Sequence, residues 1–352
     1  MKTISMTGVT GFLGASLAAR LLCAGWRVIA LSRRDPDGAR TRGAIEEALN
    51  GFDIMLPDSH WAHLVVIDAA QRPLHTCLED PLVAESDVFW HGAAEMAFLN
   101  SNLPIAFRSN VCFTSEMYQT IRRVAPNCQR FYYVSTAYTC GMGGRTVLEE
   151  LHTTYPCINA YQTSKWCAEH ALNHLHQSHG LPVTIFRPTM IVGHSKTAWT
   201  RKNGLGIYRF VDAIVMIKRL GGSAIRMNLS ATGRPDMVPI DQVIEEAYGL
   251  LSDRRAESGF EIFHAAAGCP FTTQQLTTMG GQILGVNVTY GPPETDLDRE
   301  AHNLTKWLLP FGSETWQFDR SQLEKTLARN VAPITPSAED LLKLVRWYCA
   351  SE

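Results

Sequence analysis

Residues Thr7-Gly8-Val9-Thr10-Gly11-Phe12-Leu13-Gly14 are the strongest indication of the fold of this chain. It stands between a short apolar strand pattern, Ile4–Thr7, and an apolar helical pattern over residues 13–24. Glycines at intervals of three let the backbone turn tightly and approach a pyrophosphate closely. The helix that begins there offers unpaired N–H groups and a positive dipole end to the anion. In this strand-to-helix context, the turn predicts a dinucleotide-binding site.

Strand and helix patterns alternate on both sides of this turn. Further short apolar strands are predicted at residues 27–31, 63–67, 87–90, 130–134 and 182–186, and helices at 40–50, 104–124 and 160–178. This alternation predicts an α/β fold, a Rossmann-type doubly wound parallel sheet with a smaller mixed lobe. We assign residues 1–195 to the nucleotide-binding domain and 196–352 to a substrate-binding lobe. Strands near 236–241 and 260–266 are expected to rejoin the main sheet.

Composition narrows the class of protein. The 352 residues are 45% hydrophobic and 19% charged, with a formal net charge of −2. That balance fits a globular protein with a large core and gives no reason to expect nucleic acid as a partner. We find no signal-peptide pattern and no apolar run of membrane-spanning length. Nine irregularly spaced cysteines are typical of reduced thiols, so we expect a cytoplasmic protein.

The residues after the second strand bear on the choice of dinucleotide. NAD-binding folds usually have an acid there, which binds the ribose hydroxyls. Here the chain reads Ser32-Arg33-Arg34, and Arg42 lies on the next predicted helix. A guanidinium suits a 2′-phosphate, whereas an acid would repel it. The pattern favours NADP(H), although Asp35 follows closely and solvated surface arginines are the alternative.

Tyr161 and Lys165 are the candidate catalytic pair. Four residues apart on a helix, they share one face and can reach one ligand. A neighbouring ammonium lowers the pKa of a phenol, which makes tyrosine a better acid–base group. The same spacing also arises in ordinary surface pairs. Thr136 ends the fifth predicted strand, at the sheet edge where such folds bind ligands, and its hydroxyl can share the substrate oxygen with Tyr161.

These residues resemble a known superfamily. Thr136, Tyr161 and Lys165 match one by one the Ser/Thr-Tyr-Lys triad of the short-chain dehydrogenases/reductases, and the glycine spacing resembles their extended type. The resemblance implies that Tyr161 donates a proton and that Lys165 is its partner. Together with the glycine-rich turn and the arginines, it implies cofactor contacts from these residues: Gly8, Thr10, Gly11, Phe12, Leu13, Gly14, Arg33, Arg42, Asp68, Ala93, Asn110, Ser135, Pro188, Thr189, Met190 and Ile191.

Several segments look like one branch, the thioester reductases, which include carboxylic acid reductases, terminal reductase domains of peptide synthetases and fatty acyl-CoA reductases. They are residues 7–14, Ala39 with Arg42, 135–138, 186–188, 193–197 and 238–241. The resemblance implies NADPH-dependent reduction of an acyl thioester to an aldehyde, with further reduction to an alcohol left open. The chain departs from the group at His194, where the group has Asp, and at residues 67–69, where it has Gly-Asp-Leu.

Partners and alternatives follow from the same resemblance. The chain shows no phosphopantetheine attachment motif, so an acyl carrier protein would dock in trans. Basic residues near the expected mouth could meet it or form a solvated loop: Lys196, Arg201, Lys202 and Arg209. Two other functions stay open, a reductase or epimerase of a free ketone, alcohol or sugar nucleotide, and a non-catalytic NADP-binding sensor. Trp199 and Tyr208 line an acyl pocket or pack in the core. We predict no metal site.

Overall fold

A computed structural model describes residues 1–69, 74–96, 98–153, 157–202, 204, 206–252, 259–268, 270–327 and 333–350. Its strands are β1 (Thr3–Thr7), β2 (Arg27–Ser32), β3 (Leu64–Asp68), β4 (Val88–His91), β5 (Phe131–Val134), β6 (Thr146–Val147), β7 (Val183–Pro188), β8 (Met190–Val192), β9 (Ala224–Met227), β10 (Met237–Pro239), β11 (Phe260–Ala265), β12 (Asn287–Tyr290) and β13 (Gln317–Phe318).

The α-helices are α1 (Phe12–Cys23), α2 (Ala39–Gly51), α3 (Asp58–Trp61), α4 (Leu74–Leu78), α5 (Pro81–Ala84), α6 (Leu103–Phe107), α7 (Phe113–Val124), α8 (Ala160–His179), α9 (Ile207–Arg219), α10 (Ile240–Ser252), α11 (Thr273–Leu284), α12 (Asp296–Thr305), α13 (Leu309–Ser313), α14 (Ser321–Leu327) and α15 (Ala338–Ala350). Short 3₁₀ turns occupy Asn100–Asn102 and Ala137–Cys140, and a π-helical turn, Arg108–Cys112, joins α6 to α7. The helix predicted at 104–124 is therefore two helices around a π-helical turn.

Seven strands form one parallel sheet in the order β11-β7-β5-β4-β1-β2-β3. The predicted doubly wound Rossmann-type fold is confirmed. The chain builds outward from β1 to β3 and then returns to β4 on the other side of β1. This reversal opens a crevice at the carboxyl ends of β1 and β4, which is where folds of this kind bind ligands. The register pairs Thr7 of the glycine-rich turn with His91 at that edge.

Two apolar layers cover the sheet because its strands are buried on both faces. One core packs α1, α2 and α10 against the sheet, and the other packs α7 and α8. A third core belongs to the smaller lobe, where α9, α11 and α15 bury their apolar faces together. Helix α8 therefore lies on the main sheet, whereas α9, α11 and α15 belong to the smaller lobe.

The two late segments expected in the sheet behave differently. The segment 260–266 supplies β11, which pairs with β7 as an edge strand. The segment 236–241 stays outside the main sheet, because β10 pairs with β8 in a separate two-stranded unit. Thr189 lies between β7 and β8, where the chain leaves the main sheet. The hydroxyl of Thr189 donates a 2.6 Å hydrogen bond to Asp236, which holds β10 at this point.

Candidate active site

The glycine-rich turn forms a cradle that side chains would close. A Cβ on Gly14 would lie 2.1 Å from the Gly8 carbonyl oxygen, and a Cβ on Gly8 would lie 2.6 Å from backbone of Gly92. Gly8 also has a φ of +81°, which favours glycine. Helix α1 has Gly11 as its N-cap, without a side-chain cap or an acid in its first turn. Its first N–H groups therefore remain available to an anion, and the turn fits a dinucleotide pyrophosphate.

A cavity of about 440 Å³ opens beside this turn. One wall is the turn itself, with Gly8, Gly11, Phe12, Leu13 and Gly14. The catalytic candidates Ser135, Thr136, Tyr161 and Lys165 also line the cavity, as do Pro188, Thr189, Met190 and Ile191. The fold thus brings together three segments that are distant in sequence. A long, thin ligand can contact the turn and the catalytic residues at once.

Tyr161 and Lys165 project from one face of α8. Asn159 begins the helix by accepting a 2.8 Å hydrogen bond from the Gln162 amide. The Lys165 ammonium donates a 2.6 Å hydrogen bond to the carbonyl of Val134, at the end of β5, and lies 6.0 Å from the centre of the Tyr161 ring. Burial lowers the pKa of Lys165 to about 7, although Glu169 favours the charged form.

The pKa of the Tyr161 phenol is shifted in the direction opposite to the one predicted from the sequence. Burial raises this pKa above the usual value. The sequence argument considered a neighbouring ammonium alone, whereas the structure adds the cost of placing a phenolate in an apolar cleft. The phenol is therefore protonated at neutral pH and can donate its proton. The ring of Phe98 lies 5.8 Å from that of Tyr161 and helps to enclose it.

The two hydroxyls after β5 differ in their partners. Thr136 accepts a 3.4 Å hydrogen bond from the Tyr138 amide, which caps the following 3₁₀ turn. Its hydrogen remains free to be donated to a ligand oxygen. The buried hydroxyl of Ser135 has no hydrogen-bond partner among the described residues. Both residues line the cavity, so either can meet a polar ligand atom.

A buried ion pair lies below Lys165 on the same helix. Glu169, one turn further along α8, makes two hydrogen bonds of 2.9 and 2.6 Å to the Arg187 guanidinium. Both side chains are fully buried. Arg187 also contacts His152 and His264, whose pKa values burial lowers to about 2 and about 3. Fixing Arg187 against α8 holds the end of β7 in place relative to the catalytic helix.

A chain of hydrogen bonds joins the glycine-rich turn to the helix that follows β4. Thr7 contacts His91 Nδ1 at 2.6 Å, and His91 Nε2 contacts the Thr114 hydroxyl at 2.9 Å. Thr114 donates to the carbonyl of Asn110, so it accepts from His91. His91 is therefore neutral with its proton on Nε2, in line with burial lowering its pKa to about 3. Ala93, predicted as a cofactor contact, donates its amide to Thr7.

The Asn110 side chain makes hydrogen bonds within the protein, and Asn110 does not line the cavity. Its amide group holds the backbone of Glu95 with hydrogen bonds of 2.7 and 2.9 Å. It also donates to Ser164 at 2.9 Å, and Ser164 donates to the carbonyl of Tyr161. The structure thus places Asn110 behind the catalytic tyrosine, in the π-helical turn between α6 and α7. Such turns often occur near functional sites because they redirect one side chain.

Three predicted cofactor contacts lie outside the cavity lining: Arg33 after β2, Arg42 in α2 and Asp68 at the end of β3. Arg33 is exposed, while Arg42 pairs with Glu46 at 3.0 Å and stacks on the Trp61 ring. Asp68 accepts from the backbone amide of Asp35. These residues therefore surround the loop that follows β2, and not the catalytic residues.

Asp35 itself is turned inward. Its carboxylate accepts hydrogen bonds from the amides of Arg40 and Thr41 and from the Thr41 hydroxyl, at 2.9, 2.9 and 2.6 Å. The side chain caps the start of α2 and is buried, and these hydrogen bonds lower its pKa despite the opposing effect of burial. Asp35 is therefore not presented to a ligand at this edge, whereas Arg33 is exposed there.

Sequence reasoning did not assign Arg201 to the cofactor side of the cleft. Arg201 lines the cavity and donates to the carbonyl of Thr10 in the glycine-rich turn. It also pairs with Glu47 of α2 at 3.0 Å. Its buried Nε has no hydrogen-bond partner among the described residues. The guanidinium sits where it can bind a phosphate held by the turn. Only its basic character could have signalled this in the sequence.

The segment from residue 193 to 201 packs on the nucleotide-binding side. Trp199 lies against Phe12 and Phe52, with ring centres 5.2 and 5.8 Å apart, so it is a core residue. His194 Nδ1 accepts the backbone amides of Lys196 and Thr197, at 3.1 and 3.2 Å. An aspartate can accept the same two hydrogen bonds, which explains how His194 replaces it. Burial lowers the pKa of His194 and keeps Nδ1 free to accept.

Another part of the cavity lining is apolar or aromatic. It consists of Met96, Phe98, Tyr208, Leu308 and Phe311. In the part of the chain that the structure describes, Lys165 and Arg201 are the charged side chains of the cavity lining, and both lie on the cofactor side. Of the other basic residues near the predicted mouth, Lys202 donates to a carbonyl of α15 and Arg209 pairs with Asp212 at 3.5 Å.

Two kinds of feature are missing from the described residues. They contain no group of three or more His, Cys, Asp or Glu side chains placed to hold a metal ion. They also contain no helix that is both long enough and apolar enough to cross a membrane.

Comparison with known proteins agrees with this geometry. The family model described as Male sterility protein matches residues 6–247, which is more than half of the chain. A linear gramicidin synthase protein of Brevibacillus parabrevis is 28% identical over 274 residues, covering 74% of this chain and 5% of that protein. A polyketide synthase-nonribosomal peptide synthetase of Aspergillus clavatus is 27% identical over 201 residues, covering 54% and 4%. The chain spans a small fraction of these relatives.

Solved structures share the fold. The terminal R domain from the myxalamid PKS-NRPS biosynthetic pathway superposes with a TM-score of 0.73 and 22% identity, covering 100% of this chain and 90% of that chain. UDP-glucuronic acid 4-epimerase from Bacillus cereus in complex with NAD gives 0.67 and 17%, covering 98% and 96%. At these identities the likeness shows the fold alone. The family match and the site together identify the chain as a member of the male sterility protein family of extended short-chain dehydrogenases/reductases, an NAD(P)-dependent oxidoreductase.

Proposed function

We propose that the chain is an NADPH-dependent reductase that converts an acyl thioester, bound to coenzyme A or to a carrier protein, into an aldehyde. The observation that carries this proposal is that Thr136, Tyr161 and Lys165 line the same cavity as the glycine-rich turn and a set of apolar or aromatic side chains. The matched relatives are named as polyketide synthase-nonribosomal peptide synthetases, and this similarity supports a thioester substrate.

The lining of the cavity argues against a sugar nucleotide. A nucleoside diphosphate needs positive charge or several N–H donors around its phosphates. The described residues that we assign to the substrate are apolar or aromatic, with Met96, Leu308 and Phe311 among them. An acyl chain loses nothing by leaving water for such a surface, whereas a diphosphate would lose its hydration without replacement. The wall therefore favours an acyl group over a sugar nucleotide.

The loop after β2 supports NADPH over NADH. A 2′-phosphate is stabilised by guanidinium groups, and Arg33 is exposed there. The acid that would bind ribose hydroxyls in an NAD enzyme, Asp35, uses its oxygens to cap α2. The loop thus offers an exposed guanidinium, while the Asp35 carboxylate is occupied within the protein.

The proposed mechanism uses the protein groups as follows. When bound, reduced nicotinamide supplies the hydride. Thr136 and the protonated Tyr161 donate hydrogen bonds to the thioester oxygen, which stabilises the negative charge that develops on it. Tyr161 then transfers its proton to that oxygen, giving a thiohemiacetal. Lys165 keeps a positive charge beside the tyrosine, which stabilises the phenolate left behind.

Collapse of the thiohemiacetal completes the reaction. The carbon–sulfur bond breaks, the hydroxyl proton passes to the departing thiolate, and the products are an aldehyde and a free thiol. One NADPH and one proton are consumed for each thiol released. A second reduction of the aldehyde would give an alcohol, with two NADPH for each thiol. The ratio of NADPH oxidised to thiol released therefore separates the two outcomes.

The decisive experiment follows NADPH oxidation and thiol release together. We expect both with acyl-pantetheine or acyl-CoA, and we expect Tyr161→Phe to reduce kcat at least 100-fold, since general-acid catalysis typically contributes this much. Tyr248→Phe, a partly exposed position of α10, is the matched control and should behave as the unaltered protein. Turnover of ketones without thioesters would refute the proposal. Tight NADPH binding without turnover of any carbonyl compound would instead support a sensor.

Cofactor choice has its own test. Arg33→Ala should raise the KM for NADPH by about tenfold or more, because a charge-assisted hydrogen bond contributes roughly 1.5–3 kcal/mol. The KM for NADH should not change. Arg123→Ala removes an exposed arginine of α7 that pairs with Glu79 far from the loop, and it serves as the control. Equal effects on both cofactors would remove the case for a 2′-phosphate contact.

A further inference from the structure

A second cavity lies in the smaller lobe, next to the cleft. It has a volume of about 60 Å³ and is enclosed mainly by α9 and α11. Met190, which lines the larger cavity, also lines this one, so its flexible side chain lies at the boundary between the two spaces. We call this cavity the tail pocket and define it by Met190, Ile214, Leu276 and Gly280.

The tail pocket is suited to alkyl groups. None of the described residues that line it is charged. Its two hydroxyls are used within the protein, because Thr273 donates to the carbonyl of Gly312 and Thr277 donates to that of Thr273. No lining side chain therefore requires a polar partner from the ligand. Cavities of this kind stay dry and bind apolar groups.

Gly280 faces the open part of the tail pocket. A Cβ built on it would have one neighbour within 4 Å, the Ile214 Cδ1 at 3.9 Å. The next residue, Gly281, is packed, since its Cβ would lie 2.4 Å from the Val286 carbonyl oxygen. Gly280 lies inside helix α11, where glycine costs helix stability and alanine would be better. The absence of a side chain at Gly280 therefore leaves space in the tail pocket. Helix stability does not account for a glycine at this position.

We propose that the tail pocket binds the end of the acyl chain of the substrate, and that Gly280 sets how much of the chain fits. This inference rests on the proposed thioester reductase function. The pocket has room for about two groups the size of a water molecule or a methylene. The occupant is the last two carbons of a straight, apolar acyl group whose carbonyl lies at Tyr161, with Met190 turned aside.

The test is a chain-length series. Straight-chain acyl-pantetheines from two to twelve carbons are assayed for kcat/KM with NADPH, and values should rise with length to a plateau. Gly280→Leu fills the pocket, so the plateau should begin about two carbons earlier. The ratio of long-chain to short-chain kcat/KM should fall by about tenfold, the scale of discrimination that one or two methylenes provide. Thr278→Leu, on the exposed face of α11, is the matched control and should keep the original profile.

A second variant works in the opposite direction. Leu276→Ala enlarges the pocket and should extend the plateau to longer chains, which keeps the test decisive if Gly280→Leu does not fold. Thioester turnover with an identical length profile in all variants would overturn the tail pocket while leaving the proposed function intact. Absence of thioester turnover in the unaltered protein would instead overturn the proposed function.

Discussion

The ammonium of Lys165 donates a 2.6 Å hydrogen bond to the carbonyl of Val134, the last residue of β5. The bond ties the catalytic helix to the sheet edge and directs the ammonium toward the cleft. Burial of this ammonium lowers the pKa of Lys165 to about 7, while Glu169 acts in the opposite direction. The charge on which the proposed mechanism depends is therefore titratable near neutral pH.

The pKa of Lys165 predicts that kcat/KM for NADPH depends on pH. Lys165 is protonated below about pH 7 and loses its charge as the pH rises, so kcat/KM for NADPH should fall about tenfold per pH unit above about 7. Glu169→Gln removes the group that favours the ammonium, and this decrease should move to lower pH. Lys165→Arg keeps the charge at all these pH values and should abolish the decrease, although with lower activity. A profile that is flat to pH 9 in the unaltered protein would contradict this account.

The glycine-rich turn should tolerate no side chain at Gly14. Its Cβ would lie 2.1 Å from the Gly8 carbonyl oxygen, so Gly14→Ala must displace the backbone that faces the cofactor. We expect NADPH affinity, measured by calorimetry, to fall at least 100-fold. Gly43→Ala is the matched control, because a Cβ there meets nothing within 4 Å. That variant lies in helix α2 and should gain about 0.5–1 kcal/mol of stability. Similar NADPH affinities for the two variants would show that the close approach at Gly14 is not needed for cofactor binding.

His194 should be replaceable by aspartate but not by alanine. The carboxylate of His194→Asp can accept the amides of Lys196 and Thr197 that Nδ1 accepts now. His194→Ala leaves both amides without that partner and should cost about 1–3 kcal/mol of unfolding free energy. Chemical denaturation of the three proteins at pH 7.5 measures this. Equal losses in both variants would show that the imidazole acts through its contact with the Phe52 ring instead.

His91 should make stability depend on pH with a defined sign. Its pKa falls from 6.5 to about 3 on folding because it is buried, so the unfolded chain takes up the proton first as the pH drops. Its contribution is complete above pH 6.5 and is lost as the pH falls toward 3. The stability difference between the unaltered protein and His91→Gln should therefore shrink by about 1.4 kcal/mol per pH unit in that window.

Urea unfolding at pH 7.5 and 5.5 checks this prediction. Burial raises the pKa of Glu149 to about 7, which acts in the opposite direction, but this effect is common to both proteins and cancels in the difference. A difference that does not change with pH would mean that folding does not shift the pKa of His91, and the imidazole protonated at pH 5.5 would then donate from Nδ1 to Thr7.

The fold class and the central residues of the candidate site were predictable from the sequence. Strand and helix periods are local, and so is the turn at residues 7–14, because each depends on neighbours within a few positions. The pairing of Tyr161 with Lys165 is equally local, since helix geometry places residues four apart on one face. These features were predictable because no distant segment has to be known to derive them.

Which side chains face the cavity depends on tertiary packing. The carboxylate of Asp35 could have pointed to a ribose, and packing turned it onto α2 instead. Arg201 reaches the turn across 191 positions of sequence, and β10 pairs with β8 and not with the main sheet. The tail pocket is likewise the space that α9 and α11 fail to fill. Such outcomes depend on how distant surfaces fit together in three dimensions, and residue order does not encode that fit locally.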